Sequence, residues 1–418
     1  MLWSVVGLAA VLVVWSLLAR RLERWRITPV MALVLTGAVV GVATHDALAS
    51  GIEAHVVEPV IETVLAIVLF EHAANVRGGF FGGQAALVLR LLFVAMPVGL
   101  AVAVLLGLGL IPGLPWSALL VIACVVVPID FAPVTSFLHD ERIPDRVRGL
   151  FNVEEGYSDG VIAPVFLFAL AITGGEQTKA EGVLHALEEG IPHLVVAVVL
   201  GWALGSGLAW CANAADRRGA MTDQSRRLLM VAAPVLTYTL NVGVGGNGFV
   251  AAFVCGIAYN AVRSYVDAER EQELVDDVAF LLAGIVWFAF GAVAWYVLQD
   301  GVAIGLVVFS LLVLVLARAA GVGVALLRTS LDRSERVLLA TLGPRGTASI
   351  ALALLAYTVL PDEPGERLME AAIVVVLGSV LLHGLLGPFL VGRSGEGPFL
   401  ARRSARAAAR SEPGLKRQ

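Results

Sequence analysis

Thirteen apolar stretches, each near the roughly 20 residues that an α-helix needs to cross a bilayer, leave this chain few ways to fold. They fall near residues 2–19, 28–44, 57–73, 85–108, 115–138, 147–173, 191–212, 227–241, 247–262, 278–298, 301–320, 336–360 and 368–391. Inside hydrocarbon a backbone amide finds no water, so each span must satisfy its own hydrogen bonds as a helix. With 58% of 418 residues hydrophobic and 15% charged, the composition excludes an ordinary soluble domain and carries no nucleic-acid-binding pattern. No basic stretch precedes the first apolar run, which is read as a retained span and not a cleaved leader. Cys124, Cys211 and Cys255 lie in apolar runs, where small buried side chains are expected and no disulfide or metal framework is implied.

Basic residues test the span count independently, because cytoplasmic connections are enriched in Lys and Arg. Odd-numbered connections and the tail hold 25 of the 29, counting Arg318 with the connection that runs to Arg336. Even-numbered connections hold only Lys179 and Arg367, while Arg90 and Arg345 fall inside spans. The alternation puts the amino terminus outside and the carboxyl terminus in the cytoplasm of a multi-pass plasma-membrane protein. Arg90, near its span's end, is expected to snorkel.

Against this apolar background the sixth span reads FNVEEGYSDGVIAPVF and carries Glu154, Glu155 and Asp159. A charge at a helix centre in a bilayer costs roughly 2.5 to 3.5 kcal/mol, so these carboxylates need a partner, a water-filled cavity or a bound cation. Helical spacing sorts them into two faces: Glu155 with Asp159, and Glu154 with Ser158. Asp159 lies about twelve residues from the span's cytoplasmic start, or roughly 18 Å, near mid-membrane.

Two spans are broken. The fifth, LPWSALLVIACVVVPIDFAPVTSFLHD, is interrupted at Pro128, Asp130 and Pro133, each proline removing a backbone donor and clashing with the preceding turn. Such a break survives in a membrane where it is buried in protein or lines a polar cavity. There Asp130 is placed to neutralise the positive end of the following half-helix. The twelfth span breaks at Gly343, Pro344 and Gly346 around Arg345, a buried-depth arginine whose expected partner is Glu154. The breaks stand seven spans apart, which fits two six-span repeats of opposite orientation, the architecture of a secondary transporter with its site at the midplane. The expected fold is therefore an all-α polytopic membrane protein of about 13 transmembrane helices with two crossed discontinuous helices. Its membrane domain covers 1–392, with a first repeat at 1–173, a linking helix at 191–212 and a second repeat at 227–392. A short basic cytoplasmic tail follows at 393–418, too small for a regulatory domain.

Three further segments are read on their own. The third span ends in LFEHAANV, where Glu71 is open to two readings, a cytoplasmic funnel or a solvated helix end. Residues 174–190 form an external polar connection. The acidic linker from Arg263 to Asp277 reads as an amphipathic cytoplasmic helix whose acidic residues form a solvated face in preference to a cation-attracting funnel.

In order, LFEHAANV, PIDFAPVTSFL, EEGYSD and GPRGTAS make the chain resemble the monovalent cation:proton antiporter-1 family, which includes prokaryotic and animal sodium/proton exchangers. The resemblance implies that Asp159 alternately binds a proton and a monovalent cation, Na+ first with Li+ or K+ open. It also implies that Asp130 supports the crossed half-helices, that Arg345 holds Glu154, and that a homodimer works by an elevator-like movement in the lipid bilayer. No cofactor is implied. The chain departs from the family pattern at Ser158, where Asn is usual, and at Ile129 and Phe131, which flank Asp130 in place of Thr and Pro. The Ile129 carbonyl is left as a candidate ligand. Glu155 replaces a small hydroxyl residue.

Competition at a single carboxylate implies electroneutral one-for-one exchange. A tenth span without Lys or Arg agrees, since electrogenic relatives of this fold usually keep a lysine there. Glu155 as a second proton carrier would make exchange electrogenic. A polytopic membrane enzyme lacks support, since there is no HExxH motif and His72, His139 and His383 are scattered along the chain. A passive channel requires a continuous pore, and two crossed breaks fit alternating access better.

Overall fold

Every regular element among the described residues is a helix, as the hydrocarbon environment demands. The computed structural model describes residues 2–387 apart from 26, 45–53, 77, 78, 80, 139, 141, 175–178, 265–267, 300 and 361. The expected tail at 393–418 therefore lies outside the described residues.

The helices are α1 (Leu2–Arg24), α2 (Pro29–Thr44), α3 (Ala54–Ala74), α4 (Ala85–Leu110), α5 (Trp116–Val126), α6 (Asp145–Gly174) and α7 (Lys179–Arg217). They continue as α8 (Asp223–Gly243), α9 (Gly248–Val262), α10 (Ala268–Leu298), α11 (Ile304–Ala325), α12 (Arg333–Thr341), α13 (Thr347–Val359) and α14 (Asp362–Leu381). Seven of them, α1, α4, α6, α7, α10, α11 and α14, are long and apolar enough to cross a membrane. Shorter apolar helices are α2, α5, α9 and α13. The protein is a multi-pass membrane protein. Capping sets the polar starts: Thr222 and Ser225 form a reciprocal box before α8, and Asp332 and Glu335 do the same before α12. The backbone N–H of Glu335 holds the Asp332 carboxylate below its ordinary range.

Two groups of helices pack against each other. In one, α2 lies along α10 and α9 packs on α3 and α7. The α2–α10 approach is too close for side chains: a Cβ on Gly37 would sit 2.0 Å from the Phe288 carbonyl oxygen, and one on Gly291 2.2 Å from that of Val34. Small residues let helices meet where lipid gives no hydrophobic drive. In the other group α4 packs on α5 and α11, α5 on α6, and α13 on α14. The groups meet where α6 and α13 contact α3.

The second group contains both breaks. After α5 the chain bends at Val127 and Pro128 and runs without helix through Asp130 into a short 3-10 turn, Ala132–Phe137, so the second half of the fifth span is shorter than a half-helix. Between α12 and α13, residues 342–346 are also non-helical. The breaks cross in direct contact, with the Asp130 N–H donating to the Pro344 carbonyl at 2.9 Å.

Several expectations are corrected. The connection expected at 174–190 is helical from Lys179 onward, because α7 starts there. Cys211 is exposed, whereas Cys124 and Cys255 are buried as expected. The linker after Arg263 is not simply solvated: Glu271 is only 3% exposed and accepts a 2.7 Å bond from the Tyr259 hydroxyl. Arg90 is exposed, and its guanidinium donates to the Leu327 carbonyl at 3.1 Å.

Candidate functional site

The two faces of α6 look onto different surroundings. On one face, Ser158 Oγ lies 3.3 Å from the Ile129 carbonyl, bringing the sixth span against the fifth-span break. Glu154, on the same face, receives both terminal nitrogens of Arg318 from α11, one of them at 3.0 Å. Arg318 Nε also donates to the Leu339 carbonyl at 2.9 Å, so α6, α11 and α12 are tied at one guanidinium. A cavity of about 20 Å³, the size of one water, lies among Ile129, Glu154, Ser158 and Arg318.

The expected Glu154–Arg345 pair is thus corrected: the partner of Glu154 is Arg318. Arg345 is completely buried, and its guanidinium donates to the carbonyls of Val126 and Gly343. Val126 ends α5, whose unpaired carbonyls and dipole attract a cation, so Arg345 serves the broken end and not the carboxylate. Helix α14 and the π-helical turn Leu382–Leu386 that continues it hold that arrangement. Ser379 Oγ accepts the Arg345 N–H at 2.8 Å, and His383 Nε2 accepts the Gly343 N–H at 3.2 Å. With Nε2 accepting, the His383 proton sits on Nδ1, 3.0 Å from the Ser379 carbonyl.

Asp130 supports the crossing from the other side. Its carboxylate accepts the Ala132 N–H at 2.8 Å and the Ala348 N–H, in the first turn of α13, at 3.3 Å. It therefore serves the start of both returning segments, where helical spacing alone pointed to one half-helix and the family resemblance to both. A Cβ on Gly346 would lie 2.4 Å from this carboxylate, which makes the glycine necessary.

The second face of α6 carries Glu155 and Asp159. Glu155 accepts the Phe131 N–H at 2.7 Å, satisfying a donor that the fifth-span break frees. Asp159 is 3% exposed, and neither of its oxygens has a hydrogen-bond partner. His72 of α3 stands beside it, with Nδ1 3.7 Å from Asp159 Oδ2. His72 Nε2 lies 3.5 Å from Glu71 Oε2, and Asn75 Nδ2 donates to both Glu71 and Asp276.

Glu71, His72, Asn75, Glu155, Gly156 and Asp276 line a cavity of about 1000 Å³, and Asp159 stands next to His72 and not on its wall. Trp287 and Thr347 also line it, and the Trp287 Nε1–H donates to Thr347 Oγ1 at 3.0 Å, joining α10 to the first residue of α13. The structure thus brings Glu71 and Glu155 together on one cavity with Asp159 beside them, and sets Ser158 and Glu154 on the neighbouring face of α6 against Ile129 of the fifth-span break. Arg345 stays apart from Glu154. Sequence reasoning missed Arg318 and gave His72 no role, although both stand in segments it had singled out.

Polytopic helices, two crossed breaks and a buried carboxylate beside His72, next to a cavity with acidic residues in its wall, together define the architecture of a secondary transporter. The chain belongs to the transmembrane sodium/hydrogen exchanger family, whose sequence profile matches residues 7–392. The Na(+)/H(+) antiporter of Schizosaccharomyces pombe is 25% identical over 354 residues, covering 77% of this chain and 74% of its own. The Na(+)/H(+) antiporter ApNhaP of Aphanothece halophytica is 25% identical over 341 residues, covering 78% and 63%. The K(+)/H(+) antiporter NhaP2 of Shewanella baltica is 22% identical over 281 residues, covering 65% and 46%. The chain thus spans under two thirds of the length of the last two. In fold it is similar to the sodium proton antiporter MjNhaP1 from Methanocaldococcus jannaschii at pH 8, with a TM-score of 0.76 over 94% of this chain and 99% of that one at 19% identity.

Proposed function

We propose that the protein is an antiporter exchanging a monovalent cation for H+ across the plasma membrane, with the two ions competing one for one at Asp159. The observation that carries this reading is the Asp159 carboxylate, buried without a hydrogen-bond partner beside a cavity lined by acidic groups. A carboxylate in that position must be neutralised by a proton or by a cation, and each excludes the other. Na+ is the first cation proposed, with Li+ or K+ open, because relatives named for Na+ and for K+ both align with the chain. Thirteen spans in two inverted repeats, a homodimer, and an outside amino terminus with a cytoplasmic carboxyl terminus complete the proposal. They rest on the spacing of the breaks, the family resemblance and the alternation of basic residues respectively.

The test is collapse of an imposed pH gradient in proteoliposomes on addition of Na+, Li+, K+ or Rb+, with and without a membrane potential. Exchange with at least one of these ions, at a rate insensitive to the potential, is expected. Absence of exchange with all four would reject the reading.

Glu155 decides between this and the electrogenic alternative. Its bond to the Phe131 N–H favours a fixed, structural carboxylate over a second proton carrier. Glu155→Gln keeps an acceptor for that donor and should retain potential-insensitive exchange with a severalfold higher KM. Glu155→Ala leaves the buried N–H unpaired, a loss of about 1–3 kcal/mol, and should lower thermal stability as well. Potential-driven exchange in the wild type that becomes potential-insensitive in Glu155→Gln would instead make Glu155 a proton carrier.

A further inference from the structure

We propose that His72, Asp130, Glu155 and Asp159 form a binding site for a divalent transition-metal ion of the Zn2+ class, which enters from the cavity and blocks the cation site. His72, Asp130 and Glu155 each offer a donor atom, and the three atoms lie within 4.8 Å of one another. Asp159 adds a fourth donor, its Oδ2 lying 3.7 Å from His72 Nδ1. Two ligands about 2.0–2.1 Å from one ion are separated by that chord at an angle of roughly 130°, so one ion reaches both with little movement.

Three observations point to a metal and not to a merely acidic corner. First, His72 Nδ1 and both Asp159 oxygens are buried with no hydrogen-bond partner. Second, the other imidazole nitrogen faces Glu71 at 3.5 Å, and Asn75 donates to the far oxygen of Glu71. A carboxylate behind the distal ring nitrogen keeps the proton there and turns the Nδ1 lone pair toward the site, the support that metal-ligating histidines usually have. Third, the cavity of about 1000 Å³ supplies an entry path past Glu71 and Asp276.

The chemistry selects the ion class. Imidazole suits Zn2+, Co2+, Ni2+ and Cu2+, whereas alkali and alkaline-earth cations take oxygen ligands. A dication also offsets two of the three clustered carboxylates where a monovalent cation offsets one. Asp130 contributes least, because its two oxygens already accept the Ala132 and Ala348 N–H groups.

The blocking step rests on Asp159 being the exchange site, whereas the binding step does not. Tag-free purified protein titrated with Co2+ should take up one ion per chain, develop the visible absorption of a four- or five-coordinate site, and lose it when Zn2+ is added. His72→Gln, similar in size and polarity but without the imidazole lone pair, should weaken Co2+ binding at least tenfold. Glu71→Gln should weaken it about tenfold, as loss of a supporting carboxylate typically does. His193→Gln on α7 should leave it unchanged. Co2+ bound equally well by His72→Gln, or lost in His193→Gln, overturns the site. In proteoliposomes, Zn2+ on the cavity side should raise the apparent KM for the transported cation and leave the maximal rate intact. Inhibition that no cation concentration relieves overturns the blocking step. Co2+ binding through His72 in a protein that shows no exchange would keep the metal site and reject the exchange reading.

Discussion

Asp159→Asn is expected to abolish cation-induced collapse of the pH gradient, leaving only the background of empty liposomes for Na+, Li+, K+ and Rb+ alike. The amide occupies the same volume but neither releases a proton nor balances a cation. Both halves of the exchange therefore fail together. Stability is the control that gives this result meaning. The Asp159 oxygens have no hydrogen-bond partner to lose, and a buried ionised carboxylate carries a desolvation cost that the neutral amide avoids. The variant should therefore fold at least as well as the wild type, with a thermal unfolding midpoint that is equal or higher. Asp159→Ala, in contrast, opens a space beside His72 and should lose both transport and some stability. Measuring exchange and the unfolding midpoint on the same preparations separates the two causes. Exchange by Asp159→Asn at more than about one tenth of the wild-type rate would remove Asp159 from the mechanism.

The membrane fold was legible because hydrocarbon leaves the backbone so few options. Runs of apolar residues had to become helices, and the clusters Pro128–Asp130–Pro133 and Gly343–Pro344–Gly346 interrupt them where the single prolines Pro164, Pro192 and Pro234 do not. The two faces of α6 were equally legible, since four-residue spacing alone puts Glu155 with Asp159 and Glu154 with Ser158. Partners were not legible. Arg318 lies within the apolar helix Ile304–Ala325, yet near enough to its end to be counted with the cytoplasmic basic residues. The positive-inside rule counts charges and is blind to where they point. A π-helical turn at Val313–Ala317 stands immediately before Arg318, so a regular 3.6-residue period does not describe its direction. Arg345 is the only arginine deep in a span by that count, and the family resemblance points to the same pairing with Glu154. His72 was passed over for a related reason. Its site neighbours Asp130, Glu155 and Asp159 lie far along the chain, and only the packing of α3 against α6 brings them to it.

The reassigned ion pair carries the second large expectation. Arg318 and Glu154 are both nearly buried, and their contact also engages the Leu339 carbonyl. Removing one partner strands the other's charge in a low-dielectric interior, at a cost of about 3–5 kcal/mol. Arg318→Met and Glu154→Gln should each lower the unfolding midpoint sharply and reduce the amount of protein recovered from membranes. The double substitution Glu154→Met with Arg318→Met removes both charges and fills the space with apolar atoms. It should recover much of the loss, because a buried ion pair contributes little net stability over well-packed apolar groups. Pairing Glu154→Met with Arg345→Met should give no such recovery, since Arg345 serves the carbonyls of Val126 and Gly343, which would be left without it. A thermal-unfolding double-mutant cycle compares the two couplings directly. A larger coupling between Glu154 and Arg345 than between Glu154 and Arg318 would restore the pairing expected from the sequence. Insensitivity of the midpoint to salt in the wild type is the companion expectation, because ions in solution do not screen a pair held this far from water.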